Sequence, residues 1–186
     1  GVGKSTLLKT IMGLVNVKTG SLKLYDEEIS KLPPYKKAWK GMGYIPQGRE
    51  IIPKLTVYEN LKLGMEAVTD KKAKFPEEEI YDLFPVLKDF KKRLGGNLSG
   101  GQQQQLAIGR ILVSNPKLIL LDEPTEGIQP SIAQEIAQVL KRLVKEKGIS
   151  ILLVEQKIDF AKQVTDYYYF MDRGKMVMEG SKETMD

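Results

Sequence analysis

The first six residues, Gly1-Val2-Gly3-Lys4-Ser5-Thr6, match the end of the phosphate-binding pattern G-x-x-x-x-G-K-[ST] and run straight into a helical pattern. In such a cradle backbone N–H groups surround a phosphate and the N-terminus of the following helix faces it. Gly3 lets the main chain approach the anion, Lys4 would reach the β- and γ-phosphates as a point charge, and Ser5 would put its hydroxyl on Mg²⁺. Taken alone, Gly-Lys-Ser-Thr also suits an ordinary first helical turn. The run Leu118-Ile119-Leu120-Leu121-Asp122-Glu123 carries two adjacent carboxylates at the end of a buried strand, the edge at which open α/β sheets bind ligands. There Asp122 would hold Mg²⁺, directly or through water, and Glu123 would orient or deprotonate the water that attacks the γ-phosphate. In isolation Asp-Glu-Pro equally suits a strand-end turn. Leu98-Ser99-Gly100-Gly101-Gln102, ahead of a helix, is a second glycine-bearing anion site or simply a helix cap.

Holding these groups in place takes strands and helices in alternation. Leu7, Leu8, Ile11, Met12 and Val15 predict a helix over residues 5–15, ended by a turn at Thr19-Gly20. Residues 21–25, with Leu22 and Leu24 on one face, and Met42–Ile45, stopped by Pro46, predict strands. Thr56 with Glu59 forms a capping box before Leu61 and Leu63, and Pro76-Glu77-Glu78-Glu79 opens a helix carrying Ile80, Leu83, Phe84 and Leu87. Leu106, Ile108, Ile111 and Leu112 mark a helix ending near Asn115-Pro116, with Gln102-Gln103-Gln104-Gln105 inside it. Residues 118–121 read as a strand buried on both faces. Ile132, Ile136, Val139, Leu140 and Leu143 define a helix closed by Gly148, ahead of a second buried strand at 151–154. A short helix at about 158–164 precedes a strand at 167–171, which Arg173-Gly174 joins to Met176-Val177-Met178 as a hairpin. The alternation predicts an α/β fold with a largely parallel sheet, without repeat or linker.

Composition narrows the chemistry. The 186 residues, 41% apolar and 28% charged, fit one domain with its own core. The net charge of +5 is spread along the chain, which favours a solvated surface over lipid or nucleotide phosphate binding and gives no sign of nucleic acid. With no Cys there is no thiolate nucleophile, disulfide or Cys-based zinc site; with no His, imidazole catalysis is excluded. No apolar run approaches the roughly 18 residues of a membrane span, and the expected chain is soluble. The first three positions of the phosphate-binding pattern, and the strand feeding it, would lie before residue 1, so a sequence cut at its N-terminus is expected.

The order of Gly-Lys-Ser-Thr, a lone glutamine in Tyr44-Ile45-Pro46-Gln47, Leu98-Ser99-Gly100-Gly101-Gln102 and the strand ending in Asp122-Glu123 resembles the ATP-binding subunits of ABC transporters, over almost the whole chain. The resemblance implies an α/β P-loop NTPase fold, an ABC ATPase nucleotide-binding domain with a RecA-like core and a helical subdomain at about 56–115, within one domain 1–186. It implies a Mg-dependent ATPase using ATP and Mg²⁺. Gly1, Gly3, Lys4, Ser5 and Thr6 would then bind nucleotide, with Ser5, Gln47 and Asp122 on the metal. Glu123 and Gln47 would act on the attacking water, while Ser99, Gly100, Gly101 and Gln102 would press on the nucleotide of a second ATPase subunit in a homo- or heterodimer. Residues 48–55 resemble the stretch against which the family docks a coupling helix of its transmembrane permease. The implied location is the cytoplasmic face of the cell membrane, peripheral, with a periplasmic or extracellular solute-binding protein as indirect partner and no nucleic acid.

Ile45-Pro46-Gln47-Gly48-Arg49-Glu50, Thr125-Glu126-Gly127-Ile128 and Leu153-Val154-Glu155-Gln156 look like the second ATPase subunit of branched-chain amino acid and urea importers. Gly101-Gln102-Gln103-Gln104-Gln105-Leu106-Ala107, Gly127-Ile128-Gln129-Pro130-Ser131 and Asp159-Phe160-Ala161 are most similar to the urea type, with branched-chain or other amide and amino acid importers as the alternative. Two positions depart from the wider pattern. Gln156 stands where most of the superfamily has a catalytic histidine, so it keeps at most a positional role, and Gln129 stands where many relatives have aspartate. The adenine-stacking aromatic is expected upstream; Trp39 and tyrosines 167 to 169 read as core or edge packing. Rival readings are a non-transport ABC ATPase acting on nucleic acid or translation, and a non-catalytic fragment.

Overall fold

The structure, a computed structural model, describes residues 3–185. Gly3 takes a left-handed φ of 99° and starts α1 (Lys4–Met12); Gly13, at φ 87°, ends it by donating its N–H to the carbonyls of Lys9 and Thr10. The predicted helix over 5–15 therefore stops at Met12, because Gly13 turns the chain before Val15 can join the apolar face. The predicted strand at 21–25 shrinks to β1 (Lys23–Leu24), paired antiparallel with a short β2 (Glu27–Glu28) around a turn in which Tyr25 has φ 53°. Next come α2 (Pro34–Trp39) and β3 (Met42–Ile45).

The middle of the chain is helical. Thr56 caps α3 (Val57–Lys62) through the predicted box with Glu59, and a 3₁₀ turn at Leu63–Ala67 continues it. The helix expected from Pro76 through Leu87 is two: α4 (Glu77–Leu83) and α5 (Pro85–Asp89), broken at Phe84, whose φ is −135°. Pro85 is the cause, since its ring disfavours helical geometry at the residue before it. The long α6 (Gly100–Leu112) leads to β4 (Leu118–Asp122), α7 (Pro130–Lys147) with Gly148 as left-handed C-cap, β5 (Ser150–Val154), α8 (Ile158–Val164) and the hairpin β6 (Tyr167–Asp172) and β7 (Lys175–Ser181).

Strands β3, β4 and β5 form a parallel sheet in that order, with β4 in the centre. Alternate residues of β4 divide the core. Ile119 and Leu121 pack with Leu106 and Ile108 of α6 and Ile136 and Leu140 of α7, whereas Leu120 packs with Leu8 and Met12 of α1 and Met42 of β3. Burial on both faces is why the sequence of β4 reads as an unbroken apolar run. The layers are tight: a Cβ on Gly43 of β3 would lie 2.1 Å from Ile111 Cγ2 of α6, and one on Gly101 would lie 2.8 Å from Ile132 Cγ2 of α7. The fully buried Lys37 donates from Nζ to Ile11 O over 2.8 Å, satisfying a carbonyl near the C-terminal end of α1, and burial lowers its pKa. Trp39 is half exposed, edge-on to Tyr35, and Tyr167 and Tyr169 pair on the open hairpin; these aromatics serve edge packing and none is core. Among the described residues, no helix is long and apolar enough to cross a membrane.

Candidate functional site

Parallel pairing sets the ends of the three sheet strands side by side. The last partners of β3 and β4 are Ile45 and Leu121, and those of β4 and β5 are Asp122 and Val154. Gln47, Asp122, Glu123 and Gln156 thus leave the same C-terminal edge of the sheet, the edge predicted for the ligand. Asp122 is 3% exposed, and its Oδ1 has no hydrogen-bond partner among the described residues. A buried, unpaired carboxylate oxygen is costly unless a ligand answers it, which suits a cation. The hydroxyl of Tyr44 is also buried without a partner, and burial, then the charges of Asp122 and Glu50, push its pKa up to about 12.

Glu123 sits in the left-handed region at φ 49°, anchored by its N–H on Val154 O at 2.8 Å. This bend turns its half-buried side chain toward β5, where Gln156 Nε2 donates to Glu123 Oε1 over 2.5 Å. Glu155 ties the two strand ends together. Its Oε1 accepts the N–H groups of Gln156 and Lys157, its Oε2 accepts from Thr125 Oγ1 at 2.7 Å, and Lys157 Nζ donates to Thr125 O at 3.0 Å. On the other side Gln47 Nε2 donates to Glu126 Oε2 at 2.8 Å, and Arg49 Nη2 donates to Glu126 O at 2.7 Å.

At the start of α1 no side chain caps the free N–H groups and no acidic residue lies in the first turn, which leaves donors and a positive helix end for an anion. Lys4 and Ser5 are half-buried and Thr6 exposed there; Gly1, assigned to the cradle from sequence, lies outside the described residues. Ser99 and Gln102 use their side chains on their own helix: Ser99 Oγ accepts from Gln102 N at 3.3 Å, and Gln102 Oε1 accepts from Ser99 N at 3.0 Å. No hydrogen bond or ion pair among the described residues joins 3–6 to 99–102. Instead the Ser-Gly-Gly turn packs beside Gly127 and Arg49, whose atoms lie 3.1 to 3.4 Å from where a Cβ of Gly100 would stand. The sequence reading missed Glu126, Arg49 and Glu155 as residues bonded into the candidate site; their only signal was that they belong to the segments quoted for the closer resemblance.

Donors for a phosphate at a glycine-led helix start and an acidic pair at the end of the adjoining β4 define a phosphate-binding α/β NTPase. The sequence matches the ABC transporter family profile over residues 1–126. It is 39% identical over 178 residues to the high-affinity branched-chain amino acid transport ATP-binding protein BraG of Pseudomonas aeruginosa, covering 96% of this chain and 76% of that protein. It is 38% identical over 181 residues to the probable branched-chain amino acid transport ATP-binding protein LivF of Archaeoglobus fulgidus, covering 97% and 77%. Among solved structures, the dimeric post-hydrolysis state of the ATP-binding cassette MJ0796 bound to ADP and Pi superposes with a TM-score of 0.86 at 28% identity, over 97% of this chain and 81% of that one. The chain therefore belongs to the ABC transporter family, as an ATP-binding and ATP-hydrolysing subunit.

Proposed function

We propose that this subunit powers an importer of the branched-chain amino acid and urea class, hydrolysing Mg-ATP at the sheet edge where Gln47, Asp122, Glu123 and Gln156 converge. The observation that carries the reading is the Gln156–Glu123 hydrogen bond: Oε1 of Glu123 is held, and Oε2 is left for a water molecule. Glu123 takes the proton of the attacking water, and Gln156, which cannot titrate, fixes the carboxylate in place. Lys4 and the N–H groups of α1 bind the phosphates, with Gly3 opening the cradle and Thr6 adding a hydroxyl.

The residues present fit a magnesium ion. Ser5, Gln47 and the unpaired Asp122 offer hard oxygen donors, and among the described residues no cluster of three acidic side chains would form an all-protein cage, as suits Mg²⁺ held by one carboxylate together with phosphates. A magnesium ion held there would supply positive charge against the transferred phosphoryl group.

A second ATPase subunit, identical or related, presents its Ser99, Gly100, Gly101 and Gln102 across the nucleotide, and closing the pair excludes water. The capping box that now occupies Ser99 and Gln102 keeps this turn in shape for the encounter. Residues 48–55 form the permease-facing surface. Their shape is set by the fully buried Asn60, whose Oδ1 accepts from Ile52 N at 2.8 Å and whose Nδ2 donates to the carbonyls of Ile52, Leu55 and Thr56 at 3.0 to 3.1 Å. The helical segment from α3 to α6 is a subdomain carrying this surface. The protein acts peripherally, on the cytoplasmic face of the membrane, and contacts a solute-binding protein only through the permease.

For the solute we propose urea, on the segments 101–107, 127–131 and 159–161; the names of BraG and LivF support a branched-chain amino acid as the second reading. Reconstitution with the permease and binding protein in liposomes tests both levels. Uptake of labelled urea coupled to ATP hydrolysis is expected; uptake of leucine alone transfers the solute to the second reading, and hydrolysis without any coupled uptake contradicts the importer assignment.

A further inference from the structure

We propose that Glu126 is a positioning residue for Gln47, fixing which end of its carboxamide faces the metal. The inference rests on the reading of Gln47 as a metal ligand. A carboxamide has two ends of similar shape, of which only the carbonyl oxygen can ligate a cation; the NH₂ end repels it. Gln47 is exposed beyond the end of β3, where packing does not choose between the two orientations. Glu126 Oε2 chooses: as an acceptor without protons it accepts from Nε2 at 2.8 Å, engaging the nitrogen and leaving Oε1 for the cation.

The acceptor is itself held. Glu126 N donates to Glu123 O at 3.1 Å, so Glu126 is one turn from the proposed base, and its carbonyl accepts from Arg49 Nη2 at 2.7 Å. The glutamine loop, residues 46–50 that follow β3, is shaped to meet it by three successive residues with positive φ: Gly48 at 92°, Arg49 at 70° and Glu50 at 49°. Two of these carry side chains, and such strain persists only where surrounding bonds impose it. Those bonds come from Arg110, whose Nη2 donates to Glu50 O at 2.9 Å and Arg49 O at 3.4 Å, and from Arg49 itself. One side chain thereby registers the glutamine loop against the turn that follows the acidic pair, and supplies the outer hydrogen bond that orients a metal ligand.

The test is Mn²⁺ binding, followed by electron paramagnetic resonance, to the subunit saturated with a non-hydrolysable ATP analogue. Parent, Glu126→Ala, Glu126→Gln, Gln47→Ala and the double variant Gln47→Ala/Glu126→Ala are compared, alongside analogue affinity without metal. Glu126→Ala is expected to weaken Mn²⁺ by about tenfold, the usual loss on removing an outer-shell partner. Glu126→Gln, which keeps the volume but can donate as well as accept, should weaken it in the same direction. Metal-free analogue binding should not move, and the double variant should be no weaker than Gln47→Ala, because both changes remove one interaction. Parent-like Mn²⁺ binding in Glu126→Ala while Gln47→Ala is weakened, or losses that add in the double variant, would overturn the positioning role alone. Parent-like binding in Gln47→Ala would overturn the metal-ligand reading and this inference with it.

Discussion

Gln156 donates its side-chain N–H to Glu123 Oε1 over 2.5 Å, from the end of β5 to the end of β4. An amide here gives orientation without titration. The loss of this bond in Gln156→Ala should lower kcat by about tenfold, the value of one hydrogen bond to a charged group, with little change in KM for ATP. Gln156→His should add a new inflection to the pH profile near pH 6.5, the ordinary histidine value, which the parent lacks. Steady-state rates across pH 5.5 to about 8.5 read both effects; a parent-like profile in the histidine variant would show that position 156 does not touch the reacting groups.

The contact between α6 and the sheet depends on the missing side chain at Gly43. A Cβ there would stand 2.1 Å from Ile111 Cγ2, so the Ile111 side chain or α6 itself must give way. Gly43→Ala should cost about 1–3 kcal/mol, the usual range for overpacking a core, measured by guanidinium unfolding. Ile111→Ala removes Cγ2 and leaves only a Cβ 3.5 Å away, so in that background Gly43→Ala should cost less than it does in the parent.

The box at the start of α3 predicts an acid dependence. The N–H and hydroxyl of Thr56 donate to Glu59 Oε2, both at 2.8 Å, and the backbone bond, more than the hydroxyl, lowers the carboxyl below its ordinary 4.5. A pKa lowered by folding contributes stability above the unfolded value and loses it as pH falls through the folded one. The parent should therefore unfold at higher guanidinium than Glu59→Gln at pH 7, and the gap should close below pH about 4.5. A gap constant from pH 7 to about 3 would remove the ionised carboxylate from the account.

The outline of this fold was legible because its strongest signals are local. The unbroken apolar run of β4, the Thr56 and Glu59 box, and Gly148 at the end of α7 each follow from one short segment, and the sheet edge that gathers the site follows from strand ends alone. Local punctuation also explains the errors, since Gly13 and Pro85 outweighed the apolar spacing that favoured longer helices. The glutamine and acid-pair segments were readable as candidate site segments at strand ends, but their couplings were not. Gln47 meets Glu126 across 79 positions and Gln156 meets Glu123 across 33, separations set by parallel pairing and invisible to any window of sequence. Glu155 and Arg49 were hidden for the same reason: a charged residue in a loop resembles solvated surface until the second loop is folded against it.

The central claim is that Glu123 activates water for attack on ATP. The measurement that tests it most directly is ATP turnover by the Glu123→Gln subunit beside its nucleotide affinity. Turnover should fall by about a hundredfold or more while ATP binding stays at the parent level, as expected when a general base is removed and the phosphate cradle is left whole. Turnover at the parent rate would contradict the assignment.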